Sequence, residues 1–407
     1  MNKDSDLRQL MSMPLIVAAL GYFVDIYDLL LFSIVRIPSL KALHVPDDRL
    51  LPDGIYLINV QMVGLLIGGI LWGIIGDKKG RLSVLFGSIL LYSLSNIANG
   101  FITNLSQYVV LRFVAGIGLA GELGAGITLV AEILPKHLRG YGTSIVASIG
   151  LMGAVLAYLV ANLFDWKIAY IIGGGLGILL LLLRFNVFES VMFKNAKEQS
   201  VSRGNFLSLF SSRYKCLKYV RCILIGLPIW FVIGILITFS PEFGKSLGLS
   251  VPIEAGKAVM FNYIGLSLGD LSSGILSQRL QSRKSVVLVF IALTTVLGIV
   301  YLYFMPNSVW FFYTVCLLLG FAIGYWALFV TIAAEQFGTN LRATVATTVP
   351  NFVRGSINIM TPIFLLFKTD FGTMGSAAMV GFVAVLLSLL GLWRMEETYH
   401  KDLNYNE

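Results

Sequence analysis

Two aspartates lie three residues apart in the first long apolar segment of the chain, Asp25 and Asp28 in GYFVDIYDLLLFS. In a helix this spacing places both carboxyl groups near one face. A carboxylate deep in a membrane-crossing helix costs at least about 2.5 kcal/mol on insertion scales, so a pair of them needs a reason. The pair is either a proton-titratable site that faces a water-filled cavity, or a buried pair satisfied by hydroxyls and a neighbouring arginine. We favour the titratable site.

A further carboxyl group, Glu122, follows Arg112 in RFVAGIGLAGELGAG, a segment otherwise made of glycine and apolar residues. Three roles are open for Glu122. It could be a second proton site, it could contact a bound solute, or it could be a neutral carboxyl group hydrogen-bonded to a neighbouring helix.

Arg354 is another charge at membrane depth, in the sequence PNFVRGSIN. An arginine cannot give up its proton in a protein, so it must be paired or hydrated there. It could neutralise Asp270 or Glu122. Alternatively, its planar fork could bind the carboxylate of a solute through two hydrogen bonds, with the amides of Asn351 and Asn358 on roughly the same side of the helix.

Other polar and aromatic residues occur in the middle of apolar segments, where a central cavity would need side chains that bind a solute. Aromatic side chains at membrane depth can equally serve packing. The candidates are Tyr27, Trp230, Asn262, Tyr263, Tyr325 and Trp326.

The elements that must position these residues are membrane-spanning helices. Of the 407 residues, 57% are hydrophobic and only 13% are charged, a balance that a soluble domain could hold only by exposing large apolar surfaces. Twelve apolar runs are long enough to cross a bilayer, at about 20 residues each, and they are continuous where barrel strands would alternate. Six lie before residue 190 and six after residue 218: 12–37, 54–76, 82–102, 107–134, 140–163, 168–188, 219–240, 256–277, 285–305, 309–334, 343–367 and 376–395.

Lysine and arginine collect at one end of these runs, which the positive-inside rule assigns to the cytoplasm. We call this end the basic face; both termini then lie on it. The opposite face mixes charges of both signs. The net charge of +8 follows from this orientation and gives no reason to expect nucleic-acid binding. The residues of the basic face include Lys78, Lys79, Arg81, Lys136, Arg139, Arg279, Arg283, Lys284 and Arg342.

The sequence predicts neither an enzyme nor a cofactor or metal site. Cys216, Cys222 and Cys316 are isolated thiols without metal or redox spacing. The GKS at 244–246 has Phe239 where a phosphate-binding loop needs its first glycine.

The chain repeats part of itself. Glu132 is followed seven residues later by Arg139, and the same interval separates Glu335 from Arg342, 203 residues further on. The repeat predicts two structurally related halves. These Glu–Arg pairs, together with Glu189, stand at helix ends on the basic face, where they could hold helices together in one conformation.

The segment GIIGDKKGRL at 73–82 carries the first family signature. Its glycines allow two helices to approach closely and turn sharply, Asp77 could cap a facing helix, and Arg81 could reach an acid on a neighbouring helix end. It resembles the loop between helices 2 and 3 of the major facilitator superfamily. The second-half copy is looser and has Gln278 in place of the acid.

Arg112, the glycines after it and the AGE at 120–122 resemble the fourth helix of the sugar porter and metabolite:proton symporter branches of that family. In those branches an aspartate on helix 1 faces an arginine on helix 4, and protonation of the aspartate releases the arginine. The resemblance therefore implies that Asp28 faces Arg112. The tail after Met395, EETYHKDLNYNE, resembles the C-terminal signature of sugar-porter-like proteins.

We therefore predict an all-α integral membrane protein with the major facilitator fold, twelve transmembrane helices in two pseudo-symmetric six-helix bundles. The bundles comprise residues 1–188 and 219–407, joined by a cytoplasmic linker at 189–218. The predicted function is proton-coupled symport of a small organic anion or zwitterion, such as a carboxylate, an amino acid or a betaine, by alternating access. A sugar:proton symporter, a drug-type exporter and a non-transporting receptor remain open. We expect a monomer in a bacterial-type inner membrane, whose partners are the solute, protons and the lipid bilayer.

Overall fold

The computed structural model describes residues 9–183, 205–399 and 401, and this part of the chain is helical throughout, without a strand. The helices of the first half are α1 Met13–Ala42, α2 Leu50–Lys79, α3 Arg81–Asn99, α4a Leu105–Leu119, α4b Glu122–Ile133, α5a Lys136–Leu151, α5b Gly153–Leu163 and α6 Trp166–Leu183.

The second half begins with a 3₁₀ turn, Phe206–Phe210, and contains a π-helical turn, Val232–Ile237. Its last helix, Ile357–Trp393, breaks at Gly372, where φ is +66°; we call the part before this residue α11b and the part after it α12. The other helices are α7a Arg213–Leu224, α7b Leu227–Phe231, α7c Ser240–Ser246, α8 Ala255–Leu280, α9 Arg283–Tyr303, α10a Val309–Ala322, α10b Trp326–Gln336 and α11a Arg342–Gly355.

These helices make twelve membrane passes in the described residues. Ten continuous helical stretches are long and apolar enough to cross a membrane, and one of them, Arg342–Trp393, contains two passes because it turns back at Gly372. The twelfth pass is α8, which is 26 residues long but more polar, since it carries Asn262, Asp270 and several serines. The predicted fold class is confirmed.

The two halves meet mainly where α2 packs against α11a and where α5a packs against α8. Small and hydroxyl-bearing residues line the second contact. The hydroxyl of Ser148 donates to the carbonyl of Ser267 (3.0 Å), and the hydroxyl of Ser267 donates to the carbonyl of Ser148 (2.8 Å). Such reciprocal bonds satisfy polar groups at membrane depth without a buried charge.

Within each half, glycines allow one pair of helices to touch along their backbones. A Cβ on Gly116 of α4a would lie 2.2 Å from the carbonyl oxygen of Gln61 on α2. In the second half, a Cβ on Gly320 of α10a would lie 1.9 Å from the carbonyl oxygen of Asn262 on α8. The corresponding contacts in the two halves support the internal repeat that the sequence predicts.

Helices 4 and 10 are both broken near their middle, at 120–121 and at 323–325. Irregular backbone at membrane depth is tolerated where protein covers it. In the second half, Asp270 of α8 accepts a hydrogen bond from the backbone N–H of Ala327 (3.0 Å) and so caps the first turn of α10b. This cap fixes the start of the helix that carries Trp326.

Helix α7a begins at Arg213, within the segment 189–218 that the sequence predicts as linker. The aromatic rings of Phe206 and Phe210 pack on Tyr219 of α7a, with centroids 6.3 and 6.0 Å apart. The described end of the linker is therefore attached to the second half.

We expect Gly116→Val to destabilise the protein, because the added side chain would collide with the backbone of α2. Overpacking of this kind costs about 1–3 kcal/mol. The measurement is the thermal unfolding midpoint of the purified protein in detergent. Gly175→Val is the matched control, since nothing lies within 4 Å of a Cβ built there. Equal midpoints for the two variants would contradict the backbone contact.

Candidate functional site

Arg354 stands in the last turn of α11a, between the two halves, and its side chain is only 2% exposed. Its Nη2 lies 3.9 Å from Oδ2 of Asp25 on α1, whose side chain is fully buried. This ion pair joins the halves at membrane depth. It corrects one expectation from the sequence, because the acidic partner of Arg354 is Asp25 and not Asp270 or Glu122.

Two other residues of the second half hold the guanidinium of Arg354. Oδ1 of Asn351 lies 3.4 Å from Nη1, and the ring centroid of Trp326 lies 5.5 Å from Cζ, a cation–π distance. The Asn351 amide donates to the carbonyls of Ala120 on the first half and Thr347 on its own helix, both at 2.8 Å. These bonds leave its oxygen to face Arg354.

Aromatic side chains complete the site. The indole N–H of Trp326 donates to the hydroxyl of Tyr22 on α1 (2.9 Å), a second bond between the halves one helical turn from Asp25. Tyr263 of α8 is buried and close enough to interact electrostatically with both Arg354 and Asp25. We call this group the central cluster: Tyr22, Asp25, Tyr263, Trp326, Asn351 and Arg354.

The central cluster has the chemistry of an anion site with aromatic walls. A guanidinium supplies paired N–H donors, and the rings supply flat apolar surface. The neighbouring carboxyl group of Asp25 keeps the site neutral when no anion is present. Tyr22 was not among the residues that the sequence suggested; its position three residues before Asp25, on the same helical face, is the signal that could have indicated it.

Asp28 and Arg112 lie near each other but form no direct ion pair among the described residues. Arg112 donates instead to Oε1 of Gln61 and lies over the rings of Phe32 and Tyr170, with Cζ 5.3 and 5.6 Å from the centroids. Asp28 is fully buried, interacts electrostatically with Arg112, and has no hydrogen-bond partner within 3.5 Å in the described residues.

The lack of a side chain at Gly173 on α6 makes the room for Asp28. A Cβ at this position would lie 2.2 Å from Oδ1 of the carboxyl group. The amide of Asn96 on α3 is fully buried beside Asp28 and is the polar group that faces its carboxyl group. Asp28 therefore occupies a polar space inside the first bundle rather than between the halves.

Three of the residues suggested as solute contacts form hydrogen bonds within one half. The hydroxyl of Tyr27 donates to a carbonyl of α6 (2.8 Å), that of Tyr325 to a carbonyl of helix 7 (3.1 Å), and the amide of Asn262 to a carbonyl of α10a (3.0 Å). The structure does not bring these polar groups to the central cluster.

The remaining suggested residues lie around it. Trp230 lines a narrow cleft between the halves on the side of the opposite face, together with Gln61 and Ile357. The amide of Asn358 donates to the carbonyl of Gly355 at the break in helix 11 (3.1 Å). Glu122 begins α4b and accepts a hydrogen bond from the hydroxyl of Ser88 on α3 (3.1 Å).

On the basic face, Asp77 at the end of α2 caps the first turn of α11a. Its carboxylate accepts bonds from the backbone N–H groups of Ala343 (3.1 Å) and Thr344 (2.8 Å) and from the hydroxyl of Thr344 (2.6 Å). A carboxylate at a helix N-terminus is favoured by the helix dipole and by the unpaired N–H groups there. The cap therefore holds the two halves together at this face.

Glutamates and arginines of the repeat form ion pairs on the basic face. Glu132 of α4b lies 3.5 Å from Arg342 of α11a, with both side chains fully buried, so this pair crosses between the halves. Glu335 forms a two-pronged pair with Arg283 of α9, with both distances 2.7 Å.

Arg139 donates to the carbonyl of Leu134 at the turn between α4b and α5a (3.1 Å). Arg81 begins α3, but its side chain lies outside the described residues, as does Glu189.

The opposite face is closed by a pair that the sequence did not suggest. Arg36, near the end of α1, lies 3.1 Å from Glu242 on α7c, and its side chain is 2% exposed. Its Cζ is 5.7 Å from the ring of Phe239. The sequence feature that could have indicated this pair is the arginine inside the first apolar run. We predicted Arg112 and Arg354 as the deep arginines, and Arg36 adds a third.

The geometry is thus two helical bundles that touch at both faces around the central cluster. A family model described as Major Facilitator Superfamily matches residues 18–362. The chain belongs to the major facilitator superfamily. This membership makes it a multi-pass membrane transporter and not an enzyme.

Relatives and a solved structure agree with this assignment. The chain is 26% identical over 371 residues to the niacin transporter NiaP of Acinetobacter baylyi, covering 80% of each protein. It is 23% identical over 419 residues to the gentisate transporter of Corynebacterium glutamicum, covering 98% of this chain and 92% of that protein. The proton:xylose symporter XylE, solved with a bound glucose derivative, has the same fold, with a TM-score of 0.75 and 18% identity over 96% of this chain and 97% of that one.

We expect Asp77→Asn to shift the protein toward conformations that are open at the basic face, because an amide cannot accept all three bonds that the carboxylate accepts. Loss of a cap of about 1 kcal/mol changes a population ratio roughly fivefold. The measurement is the rate of labelling of Ser144→Cys, in the contact between α5a and α8, in a background without Cys216, Cys222 and Cys316.

Asp48→Asn, in an exposed loop of the opposite face, is the control for this experiment. An unchanged labelling rate in Asp77→Asn would show that the cap does not hold the face closed.

Glu242→Gln should shift the protein toward conformations that are open at the opposite face, because it removes the charge that holds Arg36 there. A cysteine at Asn59, whose amide lies 3.4 Å from the hydroxyl of Thr361 across the interface, should then be labelled faster. The same variant should slow the labelling of Ser144→Cys. Faster labelling at both positions would indicate general loosening and contradict a latch at one face.

Proposed function

We propose that this transporter is a proton-coupled symporter that imports a small organic anion by alternating access. The observation that carries the proposal is Arg354, a permanent charge buried between the two bundles and set against Asp25 and Trp326. A site between the bundles is the position that both faces can reach in turn.

The rings around Arg354 favour an anion with a flat apolar part. Trp326, Tyr22 and Tyr263 surround the guanidinium, and aromatic pairs contribute about 0.5–1.5 kcal/mol beyond the area that they bury. The relatives support this choice, since niacin and gentisate are both aromatic rings that carry a carboxylate. The solute that we propose is therefore a small aromatic carboxylate.

Coupling to protons is proposed for the carboxyl groups that lie deep in the first bundle and its interface, Asp25, Asp28 and Glu122. A carboxyl group is rare at membrane depth, and where one occurs it commonly belongs to a proton or solute pathway. The bond from Arg112 to Gln61 suits a conformation in which Asp28 holds a proton and needs no cation.

Alternating access requires that contacts close each face in turn. Asp77 and the Glu132–Arg342 pair link the bundles on the basic face, and the Arg36–Glu242 pair links them on the opposite face. A conformation with one face open would lose one of these sets of contacts and keep the other. A free-energy difference of a few kcal/mol between the two open conformations is enough to bias the equilibrium between them.

Uptake into proteoliposomes tests the function. Radiolabelled nicotinate and benzoate should accumulate against their gradients when an inward proton gradient is imposed, and the accumulation should vanish when a protonophore removes the gradient. Accumulation of a neutral sugar, with no uptake of either acid, would overturn the anion assignment in favour of the sugar symporter.

Arg354→Lys tests the anion site itself. We expect folded protein whose affinity for nicotinate falls about tenfold or more, because the charge remains but the two-pronged geometry is lost. The measurement is binding by isothermal titration calorimetry. Arg49→Lys, at an exposed arginine on the opposite face, is the matched control. Unchanged affinity with lower thermal stability would mean that Arg354 only neutralises Asp25.

A further inference from the structure

We propose that Arg36 forms an outer anion site, where the carboxylate of the solute binds before it reaches Arg354 in the central cluster. In the closed face, the carboxylate of Glu242 takes this position on Arg36. We call Arg36, Phe239, Ser240 and Glu242 the outer cluster. The inference rests on the proposed function and extends it, because it adds a second binding site for the same class of solute.

The guanidinium of Arg36 is buried but only partly bonded. Its Nη2 donates to Oε1 of Glu242 (3.1 Å). Its Nε and Nη1, the second carboxylate oxygen of Glu242 and the hydroxyl of Ser240 have no hydrogen-bond partner among the described residues. Asp53 of α2 is bonded to Arg49 instead (2.9 Å). An arginine fork can bind a carboxylate through two bonds, so a solute carboxylate could use donors that Glu242 leaves open.

The first half holds Arg36 in place independently of Glu242. A Cβ on Gly54 of α2 would lie 2.6 Å from Cδ of Arg36, so the lack of a side chain at Gly54 makes the room for the aliphatic part of the arginine. Glu242 is on α7c of the second half. When the opposite face opens, Glu242 therefore leaves with the second half. Arg36 stays on the first half, with its guanidinium at the opening.

The outer cluster stands at the entrance of the narrow cleft between the halves. Residues of both halves line this cleft, among them Ser33, Trp230, Thr238 and Ile357. Ser33 lies one turn of α1 inward from Arg36, and Phe239 directly follows Thr238. Ile357 lies close to Arg354 along helix 11. Arg36 is about 16 Å outward from Asp25 along α1, at 1.5 Å per residue. The cleft therefore leads from the outer cluster toward the central cluster.

The outer and central clusters have similar chemistry. At the central cluster, the ring centroid of Trp326 lies 5.5 Å from Cζ of Arg354. At the outer cluster, the ring centroid of Phe239 lies 5.7 Å from Cζ of Arg36. Phe239 stacks on Phe364, with centroids 6.2 Å apart and an interplanar angle of 7°. Each cluster thus offers a guanidinium beside a flat apolar surface, which suits an aromatic carboxylate.

Two variants separate a binding site from a latch. Arg36→Gln and Glu242→Gln break the same ion pair, so a residue that only holds the face closed predicts the same change for both. If Arg36 binds the anion, Arg36→Gln should raise the KM for nicotinate about tenfold with little change in kcat, because charge-assisted bonds are lost. Glu242→Gln should leave the KM at or below that of the wild type, because it frees Arg36.

The measurement is the initial rate of radiolabelled nicotinate uptake into proteoliposomes under an inward proton gradient. Arg49→Gln, at an exposed arginine on the same face, is the matched control. The double variant Arg36→Gln, Glu242→Gln should keep the raised KM, which excludes repulsion of the anion by an unpaired Glu242. Equal KM values for the two single variants would overturn the outer site.

Chemical modification tests binding at Arg36 without transport. Phenylglyoxal modifies arginines, and mass spectrometry of the peptides reports the rate at Arg36. The protein carries Glu242→Gln, which exposes the outer cluster, and Arg354→Lys, which weakens the central site. We expect benzoate to slow the modification of Arg36 severalfold and to leave that of Arg49 unchanged. Benzyl alcohol, which has the same ring without the charge, should protect neither. Equal protection of Arg36 by benzoate and benzyl alcohol would contradict an anion site.

These experiments distinguish the two proposals. If the wild type takes up neither nicotinate nor benzoate, the proposed function fails, and the modification of Arg36 then decides the outer site by itself. If uptake occurs but benzoate does not protect Arg36, only the outer site fails.

Discussion

A charge that lies at membrane depth must have a partner, because the surrounding hydrocarbon and packed helices cannot solvate it. In this transporter the partner often stands on the other bundle. Asp25 faces Arg354, Glu132 faces Arg342, and Asp77 caps the first turn of α11a. The contacts that stabilise individual charges are therefore the same contacts that hold the two halves together.

This arrangement links the energetics of the fold to its conformational change. Removing one member of a buried pair leaves an uncompensated charge, which costs about 3–5 kcal/mol. Moving the bundles apart avoids that cost only if water reaches the charges or a new partner replaces the old one. At the two faces, water can enter when the face opens. At the central cluster, where Arg354 faces Asp25, a bound anion would act as the new partner of Arg354.

The two halves share a repeat that is visible in their helix contacts. The backbone contacts of Gly116 and Gly320 correspond, and so do the breaks in helices 4 and 10. Charged residues of the repeat hold helices together at the basic face. Arg342 pairs with Glu132 of the first half, and Glu335 pairs with Arg283 of the second half. The capping carboxylate Asp77 has Gln278 as its loose counterpart in the second half.

Much of the fold followed from local sequence features. The continuous apolar runs determine the membrane helices, because a polar backbone in a bilayer must satisfy its hydrogen bonds within the helix. The glycine-rich loop at 73–82 with Asp77 indicates a helix cap without naming the helix that is capped. The positions of Asp25, Asp28, Arg112 and Arg354 at membrane depth also followed from sequence, because the rise of a helix converts residue number into depth.

The partners of these charges were decided by the tertiary structure alone. Depth is a property of one helix, but a partner depends on the rotation of each helix and on which helices touch. Sequence left Asp270, Glu122 and a solute carboxylate open as partners of Arg354, whereas the packing places Asp25 beside it. Tyr27, Asn262 and Tyr325 form hydrogen bonds within a single half. Arg36 and Glu242 are far apart in the chain, and only the packing of α7c over α1 brings them together.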